Sequence, residues 1–299
     1  MNENGLVLLY KEAGMTSQTA VNRVKRLFGV KKAGHTGTLD PMAEGVLPIL
    51  LGRAVKASEF LLCGEKHYRA TLLLGCTTDT EDVTGNILSR SDAIPDEETV
   101  RTVCARFVGE ILQVPPMYSA IRVGGRRLME LARAGKTVER EARPVTVFSL
   151  SVSRLDERHY ALDVVCSKGT YIRTLCADIG AALGCGGIMA ALLRTEAAGY
   201  PLAAAKTLAQ FEEMGEERGA AVIPVEEIFS AWEAVTLPPF FARLAQNGQP
   251  VYLRKIGLSR PLGTRVRLYG ERGFFAVSEV REAEDGIALC PLRQFGEGE

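Results

Sequence analysis

The residues best suited to chemistry lie in one glycine-rich segment, Gly34-His35-Thr36-Gly37-Thr38-Leu39-Asp40-Pro41. Glycine lets other groups approach the backbone closely, and proline restricts the conformation of the residue that precedes it. The segment therefore predicts a loop that holds the carboxylate of Asp40 in a fixed position. The simpler alternative is that Asp40 caps a turn, as aspartates in such sequences often do. The segment is longer than such a turn requires.

Two nucleotide-related interpretations of this segment fail. A phosphate-binding P-loop ends in Gly-Lys followed by Ser or Thr, and that ending is absent from the segment. The run Thr36-Gly37-Thr38-Leu39 also resembles the phosphorylated loop of P-type ATPases, but the nucleophilic aspartate of that loop would fall on Gly34. Apolar runs in the chain are shorter than the roughly 18 residues that span a bilayer, so no membrane role is expected.

Composition is typical of a globular protein of the cytoplasm. The chain has 299 residues, which is long enough for one large domain and one small one. Its residues are 46% hydrophobic and 24% charged, as in ordinary globular proteins. The seven cysteines form no Cys-x-x-Cys pair and there are only three histidines, so neither a disulfide framework nor a zinc site is indicated. Reduced thiols are expected.

Charge is unevenly distributed although the formal net charge is zero. Residues 1–56 hold eight Lys or Arg against four acids, and residues 119–145 hold seven against three. Such an asymmetry would suit one basic face for a polyanion. Within residues 119–145, Arg122 and Arg126 lie in a Gly-containing basic segment, which we interpret as an RNA-binding insertion; a solvated helix face is the alternative.

Hydrophobic periodicity predicts strands and helices without a regular βαβ alternation, which indicates an α+β fold. Apolar residues recur at helical spacing over residues 20–28, with basic side chains between them, and residues 34–45 are expected to form a loop. Further helices are predicted over 97–107 and 128–134. Strands are predicted over 5–10, 67–74, 148–155, 160–166, 251–253, 265–268, 274–280 and 287–292, and 46–51 is predicted to be short and buried.

Further motifs follow the glycine-rich segment in an order that resembles the TruB family of pseudouridine synthases. The resemblance covers about residues 5–200, so it is far more specific than any single short motif. Two positions depart from the family pattern, at Tyr10-Lys11-Glu12 and at Leu193-Arg194. The matching motifs are Gly45-Val46-Leu47-Pro48, Lys66-His67-Tyr68-Arg69-Ala70, Leu74-Gly75, Thr78-Asp79-Thr80, Gln113-Val114-Pro115-Pro116-Met117-Tyr118-Ser119-Ala120 and Lys168-Gly169-Thr170-Tyr171-Ile172-Arg173-Thr174-Leu175.

The resemblance implies conversion of uridine to pseudouridine at position 55 in the T-loop of tRNA, without a metal or another cofactor. Asp40 matches the essential carboxylate, which could attack C1′, add to C6 or remove the C2′ proton. Arg173 matches the arginine that pairs with this carboxylate and is expected to keep it ionised and to lower its pKa. Tyr68 matches the active-site tyrosine, whose ring can stack on the base and whose hydroxyl lies near C5.

The resemblance also implies four residues that bind the substrate. A uridine in a folded loop must be flipped out before this chemistry, and His35 matches a residue that assists by stacking or inserting. Tyr171 and Leu192 match residues that line the uracil pocket. Lys66, in the same motif as Tyr68, is assigned to substrate binding. Each of these side chains could instead be an ordinary structural residue.

The implied architecture is a pseudouridine synthase fold with a mixed, mainly antiparallel sheet, followed by a small β-rich, PUA-like domain. We expect the catalytic domain over residues 1–232, with the RNA-binding insertion at about 119–145, and the PUA-like RNA-binding domain over 233–299.

The implied partner is tRNA, bound through its T-stem-loop by a monomer without an obligatory protein partner. One alternative is an RNA-binding or RNA-folding module without catalysis, which would not need Asp40, Tyr68 and Arg173 together. A second alternative is a guide-RNA-directed synthase with partner proteins. Relatives of that kind commonly carry charged extensions, whereas this sequence ends in Gly-Glu-Gly-Glu.

Overall fold

The chain folds around two β-sheets of unequal size, in a computed structural model that describes residues 4–296. The larger sheet has ten strands and the smaller has five. Most strand pairs are antiparallel, and the predicted α+β class with a mixed, mainly antiparallel sheet is confirmed. In residues 4–296, no helix is long and apolar enough to cross a membrane.

The strands alternate irregularly with the helices along the chain. The helices are α1 (Ser17–Leu27), α2 (Ser58–Leu62), α3 (Glu97–Ala105), α4 (Leu128–Arg133), α5 (Ile172–Ala182), α6 (Leu208–Glu213) and α7 (Pro239–Gln246). The strands are β1 (Gly5–Lys11), β2 (Ala33–His35), β3 (Glu44–Leu51), β4 (Lys66–Leu74), β5 (Cys76–Thr78), β6 (Ile87–Arg90), β7 (Gly109–Gln113), β8 (Arg122–Val123), β9 (Arg126–Arg127), β10 (Arg143–Arg154), β11 (His159–Cys166), β12 (Gly187–Ala197), β13 (Tyr200–Pro201), β14 (Ile223–Pro224), β15 (Glu233–Thr236), β16 (Val251–Tyr252), β17 (Arg265–Gly270), β18 (Gly273–Ala283) and β19 (Gly286–Gln294). Short 3-10 helices occur at Gly52–Ala57, Leu202–Ala204, Gly215–Ala221, Val225–Phe229 and Leu253–Lys255.

The larger sheet runs in the order β14-β1-β3-β12-β4-β11-β10-β7, with β2 paired to β3 and β13 paired to β12. Its one parallel pair joins β12 to β3, where Arg194 lies opposite Gly45. Residues far apart in sequence therefore meet at the centre of the sheet. The site described below lies at this junction.

One face of the central strands is covered by helices. On β4, Tyr68, Ala70 and Leu72 are buried, and the residues between them are exposed or half-buried, as the alternation of a strand requires. Buried residues of α1, α3 and α5 complete the same core, among them Val24 and Leu175. The buried face of β4 is thus the face that meets the helices.

Some element boundaries differ from those predicted. The expected loop over residues 34–45 is shorter, because β2 extends through His35 and β3 starts at Glu44. The short buried segment predicted over residues 46–51 lies within β3, whereas β2 was not predicted, because Gly34 interrupts its three residues. No element was predicted for α5 and β12, and both carry residues of the site.

The smaller sheet contains β15 to β19, in the order β15-β17-β18-β19-β16. β15 begins at Glu233, but residues of both sheets share one apolar cluster, in which Phe229, Val277 and Phe295 pack with Leu8 and Leu50. We therefore retain the boundary between residues 232 and 233 as a proposal. Residues 297–299 of the expected C-terminal domain lie outside the described part of the chain.

Candidate active site

Hydrogen bonds to α1 and β1 fix the loop that carries Asp40. The Ser17 hydroxyl donates to the Leu39 carbonyl at 2.9 Å and accepts from the Leu39 N–H at 2.8 Å. The buried ammonium of Lys11 donates to the carbonyls of Ala43 at 2.7 Å and of Pro41 at 3.3 Å. The backbone on both sides of Asp40 is therefore held by side chains from other elements.

The carboxylate of Asp40 forms a two-point ion pair with Arg173. Arg173 Nε lies 2.9 Å from Asp40 Oδ2, and Arg173 Nη2 lies 3.3 Å from Asp40 Oδ1. The Arg173 side chain is 5% exposed, whereas that of Asp40 is 32% exposed and remains accessible. Such a paired geometry fixes both the position and the rotation of the carboxylate.

Other groups hold the Arg173 guanidinium in place. Its Nη1 donates to the Thr80 carbonyl at 3.1 Å, and its Nη2 donates to the Tyr118 carbonyl at 2.9 Å. A second carboxylate, that of Asp82, lies 3.8 Å from Nη1 and accepts a hydrogen bond from the Thr80 hydroxyl at 2.8 Å. Arg173 therefore connects the Asp40 loop to two other segments, which lie 93 and 55 residues before Arg173 in the chain.

The pKa of Asp40 is raised above its ordinary value, because burial disfavours the charged carboxylate. Arg173 and Lys11 lower this pKa, but burial and the charge of Asp82 together outweigh them. The expected effect of Arg173 on the pKa of Asp40 is therefore present, but the net shift is upward. The sequence predicted the ion pair, but it did not predict how deeply the pair is buried.

Tyr68 and Leu192 come from adjacent strands and are both buried, at 7% and 8% exposure. They lie on the helix-facing side of the sheet, where Leu192 is paired with Ala70 and Arg194 with Tyr68. Burial raises the pKa of Tyr68, and the negative charge of Asp40 also raises it. The structure thus brings Asp40, Arg173 and Tyr68 into one electrostatic cluster.

His35 and Lys66 bind backbone groups near this cluster. The N–H of Gly37 donates to His35 Nδ1 at 3.2 Å, and burial lowers the pKa of His35, which favours the neutral ring. The buried Lys66 ammonium donates to the carbonyl of Gly64 at 3.1 Å and to that of Leu62 at 3.4 Å. Both side chains therefore help to shape the loop and the end of α2.

Tyr171 precedes α5, and its backbone is held by Gln113. The Tyr171 N–H donates to Gln113 Oε1 at 3.0 Å, and Gln113 Nε2 donates to the Tyr171 carbonyl at 3.2 Å. The Tyr171 side chain is half-buried, and burial raises its pKa. This clamp fixes the start of α5, where Arg173 lies in the first turn.

Arg122 and Arg126 lie outside the buried cluster, on a small hairpin formed by β8 and β9. Both arginines are exposed. The hairpin follows Tyr118, whose carbonyl accepts a hydrogen bond from Arg173. The basic hairpin is thus exposed to solvent, while the segment that leads into it contacts the buried site through Tyr118.

Sequence analysis missed three charged residues of the site, namely Lys11, Asp82 and Arg194. Lys11 and Arg194 are fully buried, and Asp82 is 4% exposed. A charged residue within or beside an apolar strand pattern is a signal that could have identified Lys11 and Arg194. Asp82 offered a weaker signal, since it lies in a polar turn.

Family models match the chain over most of its length. A model of the TruB family pseudouridylate synthase N-terminal domain matches residues 25–172. A model of the tRNA pseudouridylate synthase B C-terminal domain matches residues 173–230.

Curated relatives named tRNA pseudouridine synthase B are similar over nearly the whole chain. The protein of Burkholderia pseudomallei (strain 668) is 46% identical over 294 residues, covering 97% of this chain and 96% of the relative. That of Alkaliphilus oremlandii (strain OhILAs) is 40% identical over 283 residues, covering 94% of each.

A solved structure with the same fold is that of a Cbf5-Nop10-Gar1 complex, with a TM-score of 0.71 and 24% identity over 98% of this chain and 85% of that one. Identity at that level supports the fold alone. The sequence relatives support more, because their identity is 40–46% over 94–97% of this chain. Taken with the paired carboxylate and guanidinium at the sheet junction, they show that this chain belongs to the TruB family of pseudouridylate synthases.

Proposed function

We propose that this protein converts uridine to pseudouridine in tRNA, at position 55 of the T-loop, with Asp40 as the essential carboxylate. The observation that carries the proposal is the Asp40–Arg173 pair, with Asp40 partly open to solvent and Arg173 buried. The names of the curated relatives support tRNA as the substrate.

The reaction requires one bond to break, one to form and one proton to be exchanged. The C1′–N1 bond breaks, the uracil turns, and C5 bonds to C1′; C5 then loses its proton and N1 gains one. Asp40 serves the first part of this sequence, by attack on C1′, addition to C6 or removal of the C2′ proton. Arg173 positions Asp40, and Tyr68 lies in the same cluster to serve the C5 proton.

Substrate binding is assigned to residues around this cluster. Leu192 and Tyr171 line the uracil pocket, and His35 supports the flipped nucleotide from the loop that carries Asp40. Lys66 acts by holding the backbone beside that loop. Arg122 and Arg126 on the exposed hairpin bind RNA phosphates, and the C-terminal sheet provides a second RNA-binding surface.

The protein acts as a monomer in the cytoplasm, without a guide RNA or an obligatory protein partner. Relatives that match over nearly their whole length support a bacterial-type enzyme of this size. Seven free thiols suit a reducing compartment.

The test is tritium release from a T-stem-loop transcript that carries 5-tritiated uridine, with no metal, nucleotide or partner protein added. We expect release by the wild-type protein and a loss of at least about 10³-fold for Asp40→Asn, because the amide can neither attack nor accept a proton. Asp163→Asn is the matched control. Asp163 is an exposed carboxylate that pairs with Arg69, and its replacement should leave release unchanged.

Two outcomes would contradict the proposal. Wild-type protein that binds the transcript without releasing tritium would favour RNA folding or guided modification. Equal release by the wild type and Asp40→Asn would remove Asp40 from the chemistry. A transcript with a second uridine outside the T-loop checks the assigned position, since release from that uridine should be absent.

A further inference from the structure

Arg194 is a buried cation without a carboxylate partner in the described part of the chain. Its side chain is 1% exposed. Its Nε donates to the Val46 carbonyl at 2.8 Å and its Nη2 to the Gly37 carbonyl at 3.3 Å. Its Nη1 is buried and has no hydrogen-bond partner among residues 4–296. Two carbonyl dipoles are weak compensation for a full charge removed from water.

The place of Arg194 in the sheet puts this charge beside Tyr68. The two residues are paired across β12 and β4, so their side chains leave the sheet on the same, helix-facing side. Burial raises the pKa of Tyr68, and the positive charge of Arg194 acts in the opposite direction, because it favours negative charge on the Tyr68 oxygen.

The charge of Arg194 also reaches other basic groups of the site. Burial is the main cause of the lowered pKa values of Lys11, His35 and Lys66, and the charge of Arg194 lowers each of them further. The Gly37 backbone lies against the guanidinium, since a Cβ atom added there would be 3.6 Å from Arg194 Nη1. Arg194 is therefore a central positive charge beneath the loop that carries Asp40.

We propose that Arg194 is a positioning residue that acts through Tyr68, an inference that rests on the proposed function. Its guanidinium stabilises the phenolate form of Tyr68, and this phenolate takes the proton from C5 after the C5–C1′ bond has formed. The electrons of the C5–H bond form the C5–C6 double bond, and those of the C6–N1 double bond move to N1. N1 then takes a proton from water, and the phenol returns its proton to solvent.

Arg194→Gln removes the charge and keeps a side chain that can hydrogen-bond, whereas Arg194→Lys keeps the charge. We expect Arg194→Gln to slow single-turnover product formation by about 100-fold, as loss of one preorganised electrostatic group typically does. Arg194→Lys should cost about tenfold or less. Arg69→Gln is the control, since Arg69 is an exposed arginine on the same strand as Tyr68, and its rate should stay near that of the wild type.

Three readouts separate this role from a purely structural one. With 5-deuterated uridine, Arg194→Gln should show a larger isotope effect than the wild type, because C5–H cleavage becomes slower. In a Tyr68→Phe background, Arg194→Gln should lower the rate by less than a further factor of about three, because the effects of coupled residues are not additive. The rate should rise with pH as the phenolate forms, and the midpoint of this rise should lie at higher pH in Arg194→Gln than in the wild type. Misplacement of the Asp40 loop would slow cleavage of the C1′–N1 bond and give none of these changes.

A measurement without RNA keeps the inference independent of the activity. The ¹³C-tyrosine resonance of Tyr68, assigned by its loss in Tyr68→Phe, should titrate at higher pH in Arg194→Gln than in the wild type. Arg194→Met, which also removes the charge, serves the same test if Arg194→Gln fails to fold, and 3-fluorotyrosine at position 68, a more acidic phenol, should restore part of the rate of either variant. An unchanged titration, or an equal loss of rate in the wild-type and Tyr68→Phe backgrounds, would overturn the role of Arg194. Neither result would affect the Asp40 proposal.

Discussion

At the scale of single residues, the site depends on charges placed where water cannot fully screen them. Asp40 illustrates the balance. Arg173 and Lys11 favour the ionised carboxylate, yet burial and the charge of Asp82 together leave the pKa of Asp40 above its ordinary value. A carboxylate in this state is held in one orientation and is poorly solvated, which suits either nucleophilic attack or proton removal.

Asp178, on α5, provides a test of burial at a single acid. Burial, and next the charge of Glu81, raise the pKa of Asp178 from 3.8 to about 6. The native state therefore binds more protons than the unfolded state between about pH 4 and pH 6, and stability falls as pH rises through that window. We expect Asp178→Asn to increase the free energy of unfolding at pH 7 by about 1–2 kcal/mol, allowing for partial solvent screening.

The measurement is urea unfolding of both proteins at several pH values from 4 to 8. The variant should show a flatter dependence of stability on pH up to pH 6 than the wild type. Asp285→Asn is the control, because Asp285 is exposed and its replacement should leave the dependence unchanged. A wild-type stability that rises between pH 4 and pH 6 in parallel with that of Asp178→Asn would contradict the expectation.

At the scale of elements, the parallel contact of β12 with β3 assembles the site. Gly45 has a φ of +115°, and a Cβ atom added there would be 2.2 Å from the Arg194 carbonyl oxygen. Only glycine permits this close approach. The approach brings the strand that carries Leu192 and Arg194 against the strand that follows the Asp40 loop.

The hairpin of β8 and β9 is the element on which the assignment of an RNA-binding insertion depends. If Arg122 and Arg126 each neutralise one phosphate, Arg122→Gln and Arg126→Gln should each reduce the slope of log Kd against log salt concentration by about 0.7–0.9. The affinity at low salt should fall with little dependence on sequence. Fluorescence anisotropy of a labelled T-stem-loop, in an Asp40→Asn background to prevent turnover, measures both effects.

The control for the hairpin is Arg101→Gln, because Arg101 is an exposed arginine on α3 that pairs with Glu97. Its replacement should leave the salt slope unchanged. If the two hairpin variants behave like Arg101→Gln, the hairpin is a solvated surface and the RNA-binding assignment is wrong.

At the scale of the whole molecule, the two sheets are joined by an aromatic cluster. Phe229 contacts the rings of Phe60, Trp232, Phe274 and Phe295, with centroids 5.0–6.4 Å apart. These rings come from α2, from the segment between β14 and β15, from β18 and from the residue that follows β19. The cluster therefore couples the stability of the C-terminal sheet to that of the larger one.

Phe229→Ala should lower the free energy of unfolding by about 3–5 kcal/mol, since Phe229 is 2% exposed and its removal leaves a cavity. Phe240→Ala, at a phenylalanine that is 67% exposed, is the matched control and should change stability by less than about 1 kcal/mol. Chemical denaturation followed by the fluorescence of Trp232 measures both. A loss below about 1 kcal/mol for Phe229→Ala would show that the cluster does not connect the two sheets energetically.

The family, the α+β class and the pairing of Asp40 with Arg173 could all be predicted from the amino-acid sequence. These are carried by local motifs, in which glycine, proline and charged residues occur at fixed spacing. The strand of Tyr68 was also predictable, because its buried and exposed residues alternate.

The electrostatics of the site could not be predicted in this way, because they depend on contacts between distant elements. The Arg194 side chain donates hydrogen bonds to Val46 and Gly37, which lie 148 and 157 residues before it in the chain. Lys11 reaches the Asp40 loop from β1. The depth at which Asp40 is buried, and hence the direction of its pKa shift, results from the packing of these distant elements. Which distant charges meet, and how deeply Asp40 is buried among them, are properties of the assembled sheet that no local pattern of residues encodes.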